Sequence, residues 1–248
     1  MRRSLFLTVL TLLVYSPSLF SRQLAIVIDD LGYSLVNGKR SIDLPGKVTV
    51  AILPFAPNSV GLAEYANRKN KEVIIHLPMQ AKSEINQKTE SPTLNVAMST
   101  IQYTIILDTS LSRFAQAKGV SNHMGSLLTE RENPMRQVLS ATGNRGLYFL
   151  DSKTSSQSIA KRVAHQAKVP YVARDFFLDN IKSEQNMKSI MSNAFTLSRK
   201  TGDAVIIGHP YKGTLDFLER ELRNLPTDID LVFVSQLTTI DQAAVGLP

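Results

Sequence analysis

From Leu24 onward, short unbroken apolar runs alternate with longer amphipathic stretches. The runs are LAIVI (Leu24–Ile28), VTVAIL (Val48–Leu53), EVII (Glu72–Ile75), KGVS (Lys118–Ser121), LYFL (Leu147–Leu150), PYVA (Pro170–Ala173), DAVIIG (Asp203–Gly208) and DLVFV (Asp230–Val234). Runs that are largely apolar and β-branched, without strict polar alternation, predict strands buried on both faces. Between most of them, apolar positions recur at helical spacing, over Asn58–Asn70, Ser99–Gln116, Pro134–Asn144, Gln157–Lys168, Ser183–Lys200 and Gly213–Asn224. Gly143, Gly146 and Gly202 punctuate helix ends, and Asn58 after Pro57 is an expected N-cap.

Strand–helix alternation predicts right-handed βαβ crossovers and a parallel sheet. The expected fold class is α/β, a distorted (β/α) barrel of seven to eight mainly parallel strands, with a doubly wound open sheet as the alternative. A chain of 248 residues suits one such barrel. No internal repeat or linker divides it. Ala81–Ala97, polar and containing Pro92, reads as a long surface loop.

Residues 1–21 stand outside this pattern. Arg2 and Arg3 precede an apolar run from Leu5 to Tyr15 and a Ser/Pro segment. That layout predicts a secretory signal peptide cleaved after Ser21, leaving a domain over 22–248, with an uncleaved membrane anchor as the alternative. Either places the domain outside the cytoplasm, in a bacterial periplasm or secreted.

Composition narrows the chemistry. The chain has no cysteine, which excludes disulfides, thiolate metal sites and a cysteine nucleophile. A metal would have to be held by His, Asp or Glu. The net charge of +7 is scattered rather than clustered, so it reads first as a solvated basic surface. Attraction to an anionic polymer or membrane surface is the weaker functional reading. No nucleic-acid motif appears, and membrane contact is expected only through an uncleaved signal segment. G-x-S-x-G, G-x-G-x-x-G and P-loop patterns are also missing.

In parallel α/β folds, chemistry gathers at the carboxyl ends of the strands. The residues just beyond the apolar runs are Asp29 and Asp30, Pro54, His76, His123, Asp151, Arg174 followed by Asp179, and His209. Three of the four histidines fall at such ends; His165 lies in a helical stretch and reads as a bystander. Singly, each residue has a structural explanation. A lone histidine can bond neighbouring backbone, Asp151 can cap a helix, and Met79 and Met124 can simply pack. Several Asp and His residues from different strands converging on one face form a metal or acid/base constellation.

One carboxylate with two imidazoles leaves coordination positions open for water and substrate. A divalent metal, zinc first, would lower the pKa of bound water and polarise a carbonyl. The adjacent carboxylates Asp29 and Asp30 can divide the labour, one as proton acceptor and one as ligand, with the metal offsetting their repulsion. A histidine across the pocket can protonate a leaving amine or alcohol. Such chemistry is amide or ester hydrolysis.

AIVIDDLGY, EVIIHLPM, GVSNHMGS, YFLDS, RDFFLD and IGHP, in that order, resemble the divergent branch of the polysaccharide deacetylase superfamily, related to the family 4 carbohydrate esterases. The resemblance spans nearly the whole chain after the signal segment and implies a distorted (β/α) barrel. It implies that Asp29 is the catalytic base, Asp30 and His76 are metal ligands, and His209 is the general acid. Arg174 resembles the arginine that tunes the base, and Asp151 and Asp179 are pocket carboxylates without an assigned role. Typical members carry a second metal histidine four residues after the first. Here that position is Gln80, and His123 is the replacement expected from the next strand.

The resulting expectation is a secreted, metal-dependent deacetylase acting on acetylated carbohydrate of the cell envelope. The alternatives are a non-catalytic envelope protein that binds glycan or a partner on the same barrel, and a metal-dependent amidase of peptide or nucleoside-like substrates.

Overall fold

The expected runs all become strands, and all run parallel. In a computed structural model, which describes residues 22–84 and 92–238, they are β1 (Gln23–Leu31), β2 (Val48–Ile52), β3 (Glu72–Met79), β4 (Gly119–Met124), β5 (Tyr148–Asp151), β6 (Tyr171–Ala173), β8 (Asp203–Gly208) and β9 (Asp230–Val232). One more strand, β7 (Phe176–Phe177), is too short to leave a pattern in the sequence. The helices are α1 (Leu35–Ile42), α2 (Ser59–Arg68), α3 (Thr100–Leu111), α4 (Glu132–Gly143), α5 (Ala160–Gln166), α6 (Glu184–Thr201) and α7 (Lys212–Glu221). The expected signal segment lies outside the described residues. No helix among those described is long and apolar enough to cross a membrane.

The sheet runs β6-β5-β4-β3-β2-β1-β8-β7. β9 pairs with β1 over Gln23–Ala25, and β2 takes over from Ile26. The two outermost strands, β6 and β7, are consecutive in the chain and are joined only by Arg174 and Asp175. Arg174 N–H bonds the Asp151 carbonyl on β5, and Asp175 N–H bonds the Val205 carbonyl on β8. One segment thus switches partner from β5 to β8, and the sheet curls shut through it. This is the distorted barrel; the helix expected between the sixth and seventh runs is present as α6, and the unexpected β7 is inserted ahead of it by a direct strand-to-strand passage.

Side chains alternate across the sheet. Leu24, Ile26, Ile28, Val50, Ile75, Val120, Phe149 and Ile206 pack outward against the helices. Ala25, Val27, Ala51, Ile74, Tyr148, Leu150, Val205 and Ile207 fill the inside. At the amino end of the barrel the fill turns polar. Thr49 and Tyr148 donate hydroxyl hydrogen bonds of 2.9 Å each to Glu72 Oε1. The 3-10 turn Val234–Gln236 closes over them, with Val234 N–H on Thr49 and Ser235 N–H on Glu72. That end is plugged, which leaves the carboxyl end open.

Three local features differ from the sequence reading. Helix α1 left no clear signal because it is short and contains Gly38. The glycine is needed for packing: a Cβ there would stand 2.5 Å from the Leu62 side chain on α2. Asn58 does occupy the N-cap of α2, but its side chain makes no cap bond and instead donates to the carbonyls of Gly32 and Tyr33. The Ala81–Ala97 segment is not wholly a surface loop. Thr93 and Leu94 are buried, and Leu94 pairs back onto β3 through Gln80 N–H and the Pro78 carbonyl. Residues 85–91 of it lie outside those described.

Candidate functional site

Parity along the strands decides which side chains reach the mouth of the barrel. Val27, Ile74 and Ile207 point inward, so Asp29, His76 and His209, two residues further on, point inward one layer higher. Ser121 and His123 stand in the same relation on β4. Strands β1, β3 and β4 do not stop where their apolar runs stop but carry these polar residues within the sheet.

Asp30 should by this rule face outward. It does not, because β1 bulges. The pairing of β1 with β2 shifts register between Ile28 and Leu31, and Asp30 adopts a left-handed backbone with φ of 61°. Aspartate is among the few residues that tolerate this conformation. The bulge turns two consecutive carboxylates into one mouth.

The carboxylates and imidazoles meet there. His123 Nδ1 lies 2.8 Å from Asp30 Oδ1, and His76 Nε2 lies 3.2 Å from the same oxygen and 3.5 Å from Asp29 Oδ2. His209 Nε2 is 3.9 Å from Asp30 Oδ2. Asp30, His76 and His123 each offer a ligand atom, all within 4.8 Å of one another. Ligand atoms held about 2.0–2.2 Å from a small cation sit roughly 3.3 Å apart, so the donor set fits a divalent ion.

Burial and partners separate the two aspartates. Asp29 is 2% exposed, and its Oδ1 has no hydrogen-bond partner among the described residues. Burial pushes its carboxyl above the usual range, His76 opposes this, and the Asp30 charge adds to it. Burial would raise Asp30 too, but hydrogen bonds from His123 and His76 hold it far below the usual carboxylate range. Two carboxyls driven apart in this way are suited to different tasks.

His209 is held from behind. Its ring Nδ1 lies 2.8 Å from Asp179 Oδ1, and its backbone N–H donates to Asp179 Oδ2. Thr214 donates its hydroxyl to the same Oδ2. With Nδ1 engaged, Nε2 faces the mouth. Burial disfavours the imidazolium, but the Asp179 hydrogen bond and charge outweigh it, and the pKa rises above the ordinary value. Phe177 stacks on the ring at 6.0 Å, and Tyr211 lies tilted at 5.7 Å.

Other expected residues sit differently. Arg174 gives its guanidinium to the carbonyls of Ser152 (2.7 Å) and Lys153 (2.8 Å) and covers the Phe177 ring at 3.7 Å. Asp29 reaches it only as a through-space charge. Asp151 is buried and bonded by Lys153 N–H, Ser158 and Tyr171, none of which belongs to the histidine cluster. Gln80 stands outside the donor set as well: its Oε1 accepts Val96 N–H. His165 is exposed on α5. Sequence reasoning missed Ser121, whose hydroxyl lies 2.7 Å from His76 Nδ1, and Thr214 behind Asp179. Ser121 shares inward parity with His123, which is the signal that could have found it; Thr214 left none.

Residues 26–238 match the divergent polysaccharide deacetylase family. The chain belongs to that family. As a divergent polysaccharide deacetylase it is 35% identical to the uncharacterized protein YibQ of Escherichia coli K12 over 237 residues, which is 96% of this chain and 74% of that protein. An uncharacterized protein of Haemophilus influenzae is likewise 35% identical, over 94% of this chain and 82% of its own length. The crystal structure of an uncharacterized protein from Agrobacterium tumefaciens C58 has the same fold, with a TM-score of 0.81 at 23% identity, covering 87% of this chain and 88% of that one.

Proposed function

We propose that this divergent polysaccharide deacetylase is a metal-dependent hydrolase that releases acetate from acetylated carbohydrate of the cell envelope, as a periplasmic or secreted protein. One observation carries the reading. A buried carboxylate with an uncommitted oxygen, Asp29, stands beside an O/N donor set and across from an imidazole locked by Asp179. The apolar segment after Arg2 and Arg3 supports export.

Asp30, His76 and His123 would hold the cation. When bound, a divalent ion such as zinc supplies Lewis acidity and makes water a nucleophile near neutral pH. Asp29 takes the proton of the attacking water, a role that its raised proton affinity favours. His209 presents a proton at Nε2 to the departing nitrogen or oxygen of the sugar. Asp179 keeps the ring oriented and favours its charged form until that transfer. Water and the acetyl ester or amide become acetate and a free hydroxyl or amino group.

The test is acetate release by zinc-loaded protein from a panel of N- and O-acetylated glycans. We expect release by the wild type and a loss of about 10²-fold or more in Asp29→Asn, with bound metal retained. The second reading, a glycan-binding protein on the same barrel, is favoured by one feature, Gln80 in place of the family's usual second histidine. It predicts no acetate from any glycan and glycan binding unchanged in Asp29→Asn.

A further inference from the structure

The Ser121 hydroxyl is fully buried, and its hydrogen-bond partner is His76 Nδ1, 2.7 Å away. Strand register fixes the pair: Ser121 is the residue directly opposite His76 on the adjoining strand. The interior layer below is filled by Val27, Ile74 and Ile207, so Ser121 joins Asp29, His76 and His209 in the polar layer above it. Among the described residues the Ser121 hydroxyl makes no other hydrogen bond.

We propose that Ser121 is a positioning residue of the metal centre, a two-way partner that lets His76 exchange tautomers as a cation enters. The proposal rests on the metal-binding part of the functional reading above. A hydroxyl both donates and accepts. Without a cation, His76 Nε2 faces two carboxylates at 3.2 and 3.5 Å and must carry the proton to bond them. Nδ1 is then a bare acceptor, and Ser121 donates to it. A cation held by Asp30, His76 and His123 needs the Nε2 lone pair instead. The ring stays neutral: Nε2 gives up its proton, Nδ1 gains one, and the new Nδ1–H donates to the Ser121 oxygen, whose own hydrogen rotates away. An alanine at 121 supports neither state. It leaves a buried Nδ1 unpaired without the cation and a buried Nδ1–H unpaired with it.

The same strand carries His123, the imidazole that stands in for a histidine at position 80 in the donor set. Ser121-Asn122-His123 on β4 then acts as one unit. Ser121 sets His76, and His123 supplies the other imidazole. Asn122, between them, donates to the Met124 carbonyl and accepts from Ser152 N–H, which fixes the turn that follows.

Two readouts test this in the full chain, neither of them activity. Zinc affinity by chelator competition is expected to fall about 10- to 100-fold in Ser121→Ala and to recover most of that in Ser121→Thr, which keeps the hydroxyl. Histidine ¹⁵N–¹H long-range correlation spectra should show His76 protonated at Nε2 in the zinc-free wild type and at Nδ1 once zinc is added. Equal zinc affinity in wild type and Ser121→Ala, or a His76 whose protonated nitrogen does not change on zinc addition, overturns the proposal while leaving the metal site standing. A wild type that binds no zinc removes the metal reading and this one with it. If Ser121→Ala fails to fold, the wild-type spectra alone decide.

Discussion

Asp179 grips His209 twice, its Oδ1 on the ring Nδ1 and its Oδ2 on the backbone N–H, both at 2.8 Å. The grip raises the imidazole's proton affinity above the ordinary value of 6.5 against the opposing effect of burial. Stabilisation from a raised histidine is fully present below the unfolded pKa and is lost as pH rises through the folded one. Asp179→Asn is therefore expected to bring the His209 titration down in pH. The destabilisation that the wild type shows as pH climbs from about 6.5 should shrink with it. An NMR titration of His209 and urea midpoints across that window check both; an unmoved titration would mean that Asp179 only places the ring.

Asp30 depends on a backbone that most residues resist. Its φ of 61° is tolerated by aspartate and asparagine through their short polar side chains, whereas a β-branched residue there is strained by about 1–2 kcal/mol. Asp30→Asn and Asp30→Val both remove the charge, and they differ in the backbone strain and in the oxygen that accepts from His123 and His76. The valine variant should be less stable than the asparagine variant by at least that amount in urea unfolding. Equal stabilities would show that the bulge relaxes.

Arg174 fastens the seam of the barrel. Its guanidinium bridges the Ser152 and Lys153 carbonyls after β5 and lies on Phe177 of β7. A hydrogen bond to a charged group contributes about 1.5–3 kcal/mol, less where it is partly solvated. Arg174→Ala should thus lose about 2 kcal/mol, and Arg174→Lys should recover little, because an ammonium lacks the planar fork. Chemical denaturation measures this directly. A large loss of turnover in Arg174→Ala at unchanged stability would instead place the arginine with the base.

Gly119 leaves room for a ring. A Cβ at this inward position of β4 would come within 2.6 Å of Tyr148, whose hydroxyl is anchored on Glu72. Tyr148 cannot step aside without releasing that bond. Gly119→Ala is expected to destabilise the protein by about 1–3 kcal/mol through overpacking, with part of that relieved in a Tyr148→Phe background, where no bond to Glu72 holds the ring. A variant as stable as the wild type would show that the interior yields.

The sequence by itself determined the class of fold and most of the chemistry that meets in it. Short continuous apolar runs bounded by turns and alternating with amphipathic helices specify strands covered on both faces, and in a parallel sheet the charged and imidazole side chains that follow them gather at its carboxyl end. The tertiary structure decided what those local rules cannot reach. β6 passes into β7 without a helix because one segment must pair with both β5 and β8 to close the sheet. Asp30 joins Asp29 because a bulge overrides alternation. Gln80 and Asp151 stand aside because backbone and hydroxyl donors from distant parts of the chain occupy their oxygens. Ser121 belongs to the site because register places it opposite His76. Each of these depends on a partner far away in the chain, and a sequence read locally carries no record of which partner arrives.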